Sequence, residues 1–234
     1  MSVGQSGPMD GRSQPSRTEV AGYERLHVLD HPLCQDLLAT IRDSRSDPAL
    51  FGQAASQIAS YLLWEACRDL ELQLATVPGF SGAPIEVSRL RASPAGVVIL
   101  RAGEVFAQPF RALFPRSPLF HLGVSRDEHT LDHRVYSDNL SKIPATTERL
   151  LILDPMLATG GSVAVAIERA RDVYTGDIVV VALVSAPLGV DVVLACDDRV
   201  RIVTAALDER LDENGYILPG LGDAGDRFFG TGTT

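Results

Sequence analysis

The sequence predicts an α/β fold, a mostly parallel sheet flanked by helices. Three observations predict it. Short apolar runs recur at residues 96–100, 119–124, 150–153, 178–184 and 201–205, each the length of a buried strand. Between them lie stretches with helical spacing of apolar residues, at 105–113, 162–173 and 190–195, and strands that alternate with helices pair in parallel, with both sheet faces covered. Two of the strands end in residues that carry chemistry, Arg101 after Leu100 and Asp154 after Leu153. Ligands of such sheets bind at the carboxyl ends of the strands, near the point where the strand order reverses.

The elements can be justified from the amino terminus onward. Residues 1–20 are polar and rich in Gly, Pro and Ser, too poor in apolar surface to offset the entropy of ordering, and form a disordered tail. They hold no apolar core of a signal peptide. Residues 21–234 form one domain. Helical spacing marks 33–44 and 49–74, the second with Ile58, Leu62, Ala66 and Leu70 on one face. The run Pro78-Gly79-Phe80-Ser81-Gly82 then breaks the chain, and the alternating strands and helices follow.

Composition bounds the partners. A chain of 234 residues with 45% apolar content can bury one sizeable core. With 30 acidic and 21 basic side chains its formal net charge is −9, which disfavours nucleic acid and anionic membrane as partners. No run of about 18 consecutive apolar residues suggests a membrane span. Cys34, Cys67 and Cys196 are odd in number and far apart, which fits buried thiols in a reducing compartment; the expected location is cytoplasmic.

Residues 150–162 read L-L-I-L-D-P-M-L-A-T-G-G-S, an apolar strand, an acidic turn and a small-residue loop that opens a helix. Thr159, Gly160, Gly161 and Ser162 offer closely spaced backbone N–H groups at a helix start, which cradle an anion. The loop lacks the Gly-Lys-Ser/Thr ending of a nucleoside triphosphate P-loop. An acid at the strand end beside such a cradle suits a sugar phosphate, with Asp154 accepting from ribose hydroxyls and the loop holding a 5′-phosphate. Gly220-Leu221-Gly222-Asp223-Ala224-Gly225 matches the dinucleotide fingerprint in letters only. It follows Pro219 rather than a buried strand and ends nine residues before the terminus, too few for a βαβ unit. Its glycines predict an irregular loop whose backbone groups can pair with a flat polar ligand. His129 and His133 stand four apart, but H-T-L-D-H lacks the metalloprotease order and a third ligand.

The D-P-M-L-A-T-G-G-S segment resembles the phosphoribosyl-pyrophosphate (PRPP) loop of the phosphoribosyltransferases, and its wording is that of the uracil phosphoribosyltransferases, where Pro155 replaces a second acid. I-L-R-A-G around Arg101 resembles the family's pyrophosphate loop, and residues 214–231, N-G-Y-I-L-P-G-L-G-D-A-G-D-R-F-F-G-T, resemble its uracil-binding hood. His31-Pro32-Leu33 and W-E-A-C-R-D-L at 64–70 extend the resemblance. The resemblance implies a type I phosphoribosyltransferase-like fold with a flexible β-arm at about 125–147 and a base-binding hood at about 206–231. It implies that Asp154, Pro155, Met156, Leu157, Ala158, Thr159, Gly160, Gly161 and Ser162 hold PRPP, with Arg101 and Arg126 on its pyrophosphate. It further implies that Ile217, Gly222 and Ala224 read the uracil edge through backbone groups, and that Asp223 meets both uracil and PRPP, the latter through Mg2+.

Asp154, Arg101, Arg126 and Asp223 are therefore the expected catalytic set. The implied reaction is transfer of a phosphoribosyl group from PRPP to uracil, giving UMP and pyrophosphate. The bond to the leaving group breaks early, through an oxocarbenium-like state that needs no side-chain nucleophile. The resemblance also implies a homo-oligomer, a dimer or larger, and allows GTP as an effector. The pyrophosphate side departs from the family. Glu104-Val105-Phe106 stands where L-G-M is usual, Asn139 where a lysine is usual, and 46–52 lacks a basic T-x-x-F-R pattern. Glu104 is expected to add negative charge beside the pyrophosphate. A pyrimidine or nucleotide sensor with weak or no turnover, and a transferase for another base, stay open beside the enzyme reading.

Overall fold

The computed structural model describes residues 18–19, 22–126 and 133–232. In chain order the strands are β1 (Thr18–Glu19), β2 (Leu26–Val28), β3 (Leu72–Pro78), β4 (Pro84–Leu90), β5 (Ala95–Leu100), β6 (Leu119–Arg126), β7 (His133–Asp138), β8 (Arg149–Leu153), β9 (Met156–Leu157), β10 (Asp177–Ser185), β11 (Arg201–Leu207), β12 (Arg210–Leu211) and β13 (Ile217–Leu218). The helices are α1 (Pro32–Arg42), α2 (Pro48–Ala66), α3 (Ala107–Leu113), α4 (Gly161–Arg171), α5 (Pro187–Cys196) and α6 (Ala224–Phe229), with 3-10 turns at Ala102–Phe106 and Leu140–Lys142.

The main sheet runs β1-β2-β11-β10-β8-β5-β6-β7. Strands from β2 to β6 along this order pair in parallel, and the two edge pairs, β1–β2 and β6–β7, are antiparallel. The expected mostly parallel sheet with helices on both faces is what the chain builds. From β5 the chain steps outward to β6 and then returns to β8 on the other side, so the strand order reverses between β5 and β8. That crevice, where no crossover helix covers the strand ends, is flanked by Arg101 and Asp154.

Period-two alternation divides the core between the faces. Leu151 and Leu153 of β8, with Val179, Val181 and Leu183 of β10, join Phe51, Ile58, Leu62 and Phe110 in one cluster. Leu150, Ile152, Ile178 and Val180 point the other way, onto Val163, Ala166, Ile167 and Val193 of α4 and α5. Apolar runs without alternation thus belong to strands buried on both sides.

Helix starts follow local chemistry. Pro32 and Pro48 occupy first turns, behind His31, whose Nδ1 accepts from Leu33 N at 3.2 Å, and Asp47, which accepts from Leu50 N at 2.8 Å. α2 ends at Ala66 rather than continuing to residue 74. Beyond Asp69 the sequence Leu72-Gln73-Leu74-Ala75-Thr76-Val77 alternates with the period of a strand, and 72–78 pairs antiparallel with 84–90. The Pro78 to Gly82 breaker is the turn of that hairpin, where Gly82 has φ +82°. Thr18–Glu19 pair with β2; the rest of the expected 1–20 tail lies outside the described residues. Cys34 is buried and Cys67 half-buried, but Cys196 is exposed at the end of α5, contrary to its expected burial. No helix among the described residues is long and apolar enough to cross a membrane.

Candidate active site

Strand β8 ends at Leu153, and the chain then bulges through Asp154-Pro155 before rejoining the sheet as β9. Pro155 O accepts from both Leu183 N and Val184 N of β10, at 3.0 and 3.1 Å. Met156 and Leu157 are therefore strand residues rather than loop, and Leu157 is fully buried in the core. The bulge leaves Asp154 at the mouth of a cleft of about 190 Å3 lined by Asp154, residues 156–163 and Gly215. Pro155, expected in the set, is buried and does not line it.

The far wall of the cleft is the start of α4. Gly160 caps it in the left-handed conformation, φ +81°, with no side chain bonding the first-turn amides. A helix begun in this way presents backbone donors and the positive end of its dipole to the cleft. Two glycines make the loop this tight. A Cβ on Gly160 would lie 2.9 Å from Gly189 O, and one on Gly189 would lie 2.6 Å from Ala158 O and 2.7 Å from Leu157 O. α5 therefore backs directly onto the phosphate-loop backbone.

Asp154 keeps part of its surface open to the cleft, yet the atoms crowded around its carboxyl desolvate it and push its pKa up to about 7, opposed by a backbone hydrogen bond involving Met156. A carboxyl poised there changes charge near neutral pH and accepts from hydroxyls once ionised.

The Arg101 turn packs against the same strand end. A Cβ on Gly103 would lie 2.6 Å from Leu153 O, so only glycine lets the turn approach β8 this closely. Val105 and Phe106 anchor the turn in the core. Arg101 is exposed, and its guanidinium lies 3.6 Å from Asp226 Oδ1. Glu104 reaches toward β6. Its Oε2 lies 3.5 Å from His121 Nε2 on β6.

The C-terminal segment is more ordered than the expected irregular loop. β12 and β13 pair antiparallel, and Asp212 Oδ1 fixes their turn by accepting from Asn214 N and Tyr216 N at 2.9 and 2.8 Å. Gly215 of that turn completes the Asp154 cleft. Asp223 caps α6, accepting from Asp226 N at 2.8 Å through Oδ1, and α6 touches the Arg101 turn, where a Cβ on Gly225 would lie 3.6 Å from Ala102 Cβ. Ile217 and Ala224 are buried, while Gly222, φ +78°, and Asp223 are exposed.

Sequence reasoning missed what holds this segment. Buried Asp208, at the end of β11, takes a bidentate bond from Arg42 at 2.6 and 2.9 Å and one from Gly220 N at 2.8 Å. Arg42 also donates to Gly220 O at 2.7 Å. Arg227 donates to Ile41 O, Asp43 O and Leu221 O and lies 4.5 Å over the Phe51 ring, so it satisfies carbonyls that the end of α1 leaves without helix partners. Asp208 follows a strand as a ligand-facing acid does, and a strand-end rule would have marked it, but its carboxylate oxygens are taken up by Arg42 and Gly220 N.

Arg126 ends β6, and only its backbone is described; Glu128 and His129 lie outside the described residues. β6 and β7 form the antiparallel base of the expected arm. Among the described residues no cluster of three or more His, Cys, Asp or Glu could hold a metal. A single carboxylate such as Asp223 is a hard oxygen donor, which fits Mg2+ arriving on a phosphate rather than one in a closed protein cage.

Comparison with known proteins agrees with this geometry. Residues 28–231 match the family model described as uracil phosphoribosyltransferase. A uracil phosphoribosyltransferase of Kineococcus radiotolerans is 41% identical over 209 residues, 88% of this chain and 99% of that protein. One of Lacticaseibacillus paracasei is 43% identical over 206 residues, 87% of this chain and 97% of that protein. The solved structure of the AQ2163 protein from Aquifex aeolicus superposes with a TM-score of 0.82 at 30% identity, covering 89% of this chain and all of that one. The chain belongs to the uracil phosphoribosyltransferase family.

Proposed function

We propose that the cleft between β5 and β8 is where this chain transfers a phosphoribosyl group from PRPP to uracil, giving UMP and pyrophosphate. One observation carries the assignment of the site. The Asp154 cleft, the Arg101 turn and the C-terminal hood come from three distant parts of the chain and meet at the reversal of strand order.

In this reading Asp154 accepts from the ribose hydroxyls, and the amides of 159–162 with the Thr159 and Ser162 hydroxyls hold the 5′-phosphate. Arg101 and Arg126 take the pyrophosphate, and backbone groups at Ile217, Gly222 and Ala224 read the base. Asp223 keeps Oδ2 for the ligand side while Oδ1 caps α6. The sugar C1–oxygen bond to pyrophosphate breaks, the bond from C1 to uracil N1 forms, and the N1 proton is released. Asp223 would meet Mg2+ bound to PRPP, which would supply positive charge to offset the negative charge developing on the leaving group. The protein supplies alignment, fixed donors where charge develops, and exclusion of water.

The test is pyrophosphate release by the purified chain with uracil, PRPP and Mg2+. Release that requires all three supports the reading. Retained UMP binding without release favours a nucleotide sensor, the alternative that the altered segment after Gly103 motivates. Turnover of hypoxanthine or orotate but not uracil moves the assignment to another base. Adding GTP to the same assay reads its role as an effector, and fractionation of cells tests the cytoplasmic location.

The homo-oligomer reading gains support from the surface. The β3–β4 hairpin leaves Leu72, Leu74, Phe80 and Ile85 exposed, and a two-stranded ribbon is not stable by itself in water. Beside its base lies a groove of about 930 Å3 whose lining includes Tyr61, Trp64, Leu113 and Phe114. An exposed apolar ribbon next to an apolar groove offers the kind of surface that a two-fold dimer buries. Sedimentation of the wild type and of Trp64→Glu checks it; a monomeric wild type contradicts it.

A further inference from the structure

Glu104, one of the positions where the sequence departs from the wording it resembles on the pyrophosphate side, has a partner. It lies one 3-10 turn beyond Arg101, and its N–H donates to Arg101 O at 3.1 Å, so the two residues are the ends of one backbone unit. Gly103, Val105 and Phe106 of that unit are buried, and Ala102 abuts α6. Glu104 is the side chain through which the turn reaches sideways across the sheet. It meets His121 in the middle of β6, with Oε2 3.5 Å from Nε2. The other departure, Asn139, acts on the same residue: its Oδ1 accepts from His121 N at 3.3 Å. The two substituted positions therefore converge on one histidine, on the strand next to the one that ends at Arg101.

We infer that Glu104 and His121 are positioning residues, a cross-strand tether that holds the Arg101 turn and thereby sets affinity for the pyrophosphate group. The inference rests on the reading of Arg101 as a pyrophosphate ligand. It opposes the simple electrostatic expectation for Glu104. A carboxylate facing the ligand repels it, and removing the charge tightens binding. A carboxylate that tethers the turn does the reverse, and its removal weakens binding. The sign of the effect decides between them.

The experiment is steady-state kinetics on Glu104→Gln, His121→Gln and the double variant, with KM for PRPP and kcat read separately and melting temperatures measured alongside. The tether predicts a rise in KM of about two- to fivefold in each single variant, the range a partly exposed polar contact supplies. It predicts little change in kcat, and no further rise in the double variant, because either change alone removes the pair. A lower KM in Glu104→Gln overturns the inference, as do unchanged KM values or additive effects. A wild type that does not turn over is a failure of the proposed reaction instead. Calorimetry with magnesium pyrophosphate then makes the same comparison through Kd, with the same outcomes for and against the tether.

Discussion

Arg101 and Asp226 face each other across 3.6 Å, the first from the end of β5 and the second from the first turns of α6. The contact joins the loop assigned to pyrophosphate with the hood assigned to the base. Both side chains are substantially exposed, at 66% and 39%, so the pair contributes little to stability. On the proposed reading of Arg101, a pyrophosphate would compete with Asp226 for its guanidinium. Asp226→Asn is expected to leave the melting temperature nearly unchanged and to strengthen magnesium pyrophosphate binding in calorimetry. Arg101→Ala is expected to lower kcat/KM by about 10- to 100-fold, the size of a lost hydrogen bond to a charged group.

Asp154 makes stability depend on pH in an unusual direction. Its carboxyl goes from an ordinary 3.8 in the unfolded chain to about 7 in the folded protein. Across that window the folded state holds a proton that the unfolded chain has lost. The stability linked to this group is therefore complete below the lower value and is lost as pH rises through the upper one. Urea midpoints of the wild type are expected to fall relative to Asp154→Asn between pH 5 and pH 8. Parallel curves for the two proteins contradict the shift.

Ribose hydroxyls that donate to Asp154 would select its ionised form. UMP binding near pH 6 is then expected to release roughly one proton more in the wild type than in Asp154→Asn, a difference that cancels the protons the UMP phosphate itself exchanges. Calorimetry in buffers of different ionisation enthalpy reads both numbers. Equal proton release by the two proteins at pH 6 removes Asp154 from the sugar.

The hood hangs on Asp208, which is 6% exposed. Arg42→Ala leaves that carboxylate buried with only the Gly220 amide, an arrangement that costs about 2–4 kcal/mol once the partial exposure of Arg42 is allowed for. The variant is expected to lose that stability in urea and to show a higher KM for uracil. Removing both charges, in Arg42→Ala with Asp208→Ala, is expected to cost less than the sum of the single changes.

Gly189 has no contact with the proposed ligand, yet its substitution is expected to weaken phosphate binding. A Cβ there meets two backbone carbonyls of the phosphate loop at 2.6 and 2.7 Å, and backbone yields less readily than the end of a side chain. Gly189→Ala is expected to weaken UMP binding by about 5- to 150-fold, the equivalent of an overpacking cost of about 1–3 kcal/mol borne by the loop. Unchanged UMP affinity in a folded variant contradicts the tight backing of the loop by α5.

The sheet was legible in the sequence because strands buried on both faces need uninterrupted apolar runs, as 150–153 and 178–184 have. The strand-end positions of Arg101 and Asp154 were legible because each directly follows an uninterrupted apolar run. The β3–β4 hairpin was not, since Leu70 and Leu74 fit a four-residue spacing as well as the period of two that wins at Leu72. Met156 and Leu157 read as loop because a bulge at Asp154-Pro155 interrupts a strand whose pairing with β10 then resumes. The anchoring of the hood by Arg42, Asp208 and Arg227 joins residues more than 160 positions apart, and no local pattern carries such a contact. Glu104 drew attention as a charge but not as a partner of His121, which depends on the register of β5 and β6.

The central claim is that one nucleotide lies across the β5–β8 crevice, its phosphate on the start of α4 and its base under the hood. A crystal structure of the chain with UMP tests it most directly. The account predicts the 5′-phosphate within hydrogen-bond reach of the backbone amides of 159–162, the ribose on Asp154, and the uracil edge on backbone groups of Ile217, Gly222 and Ala224. A nucleotide bound away from Asp154, or with its phosphate off the 159–162 loop, would contradict it.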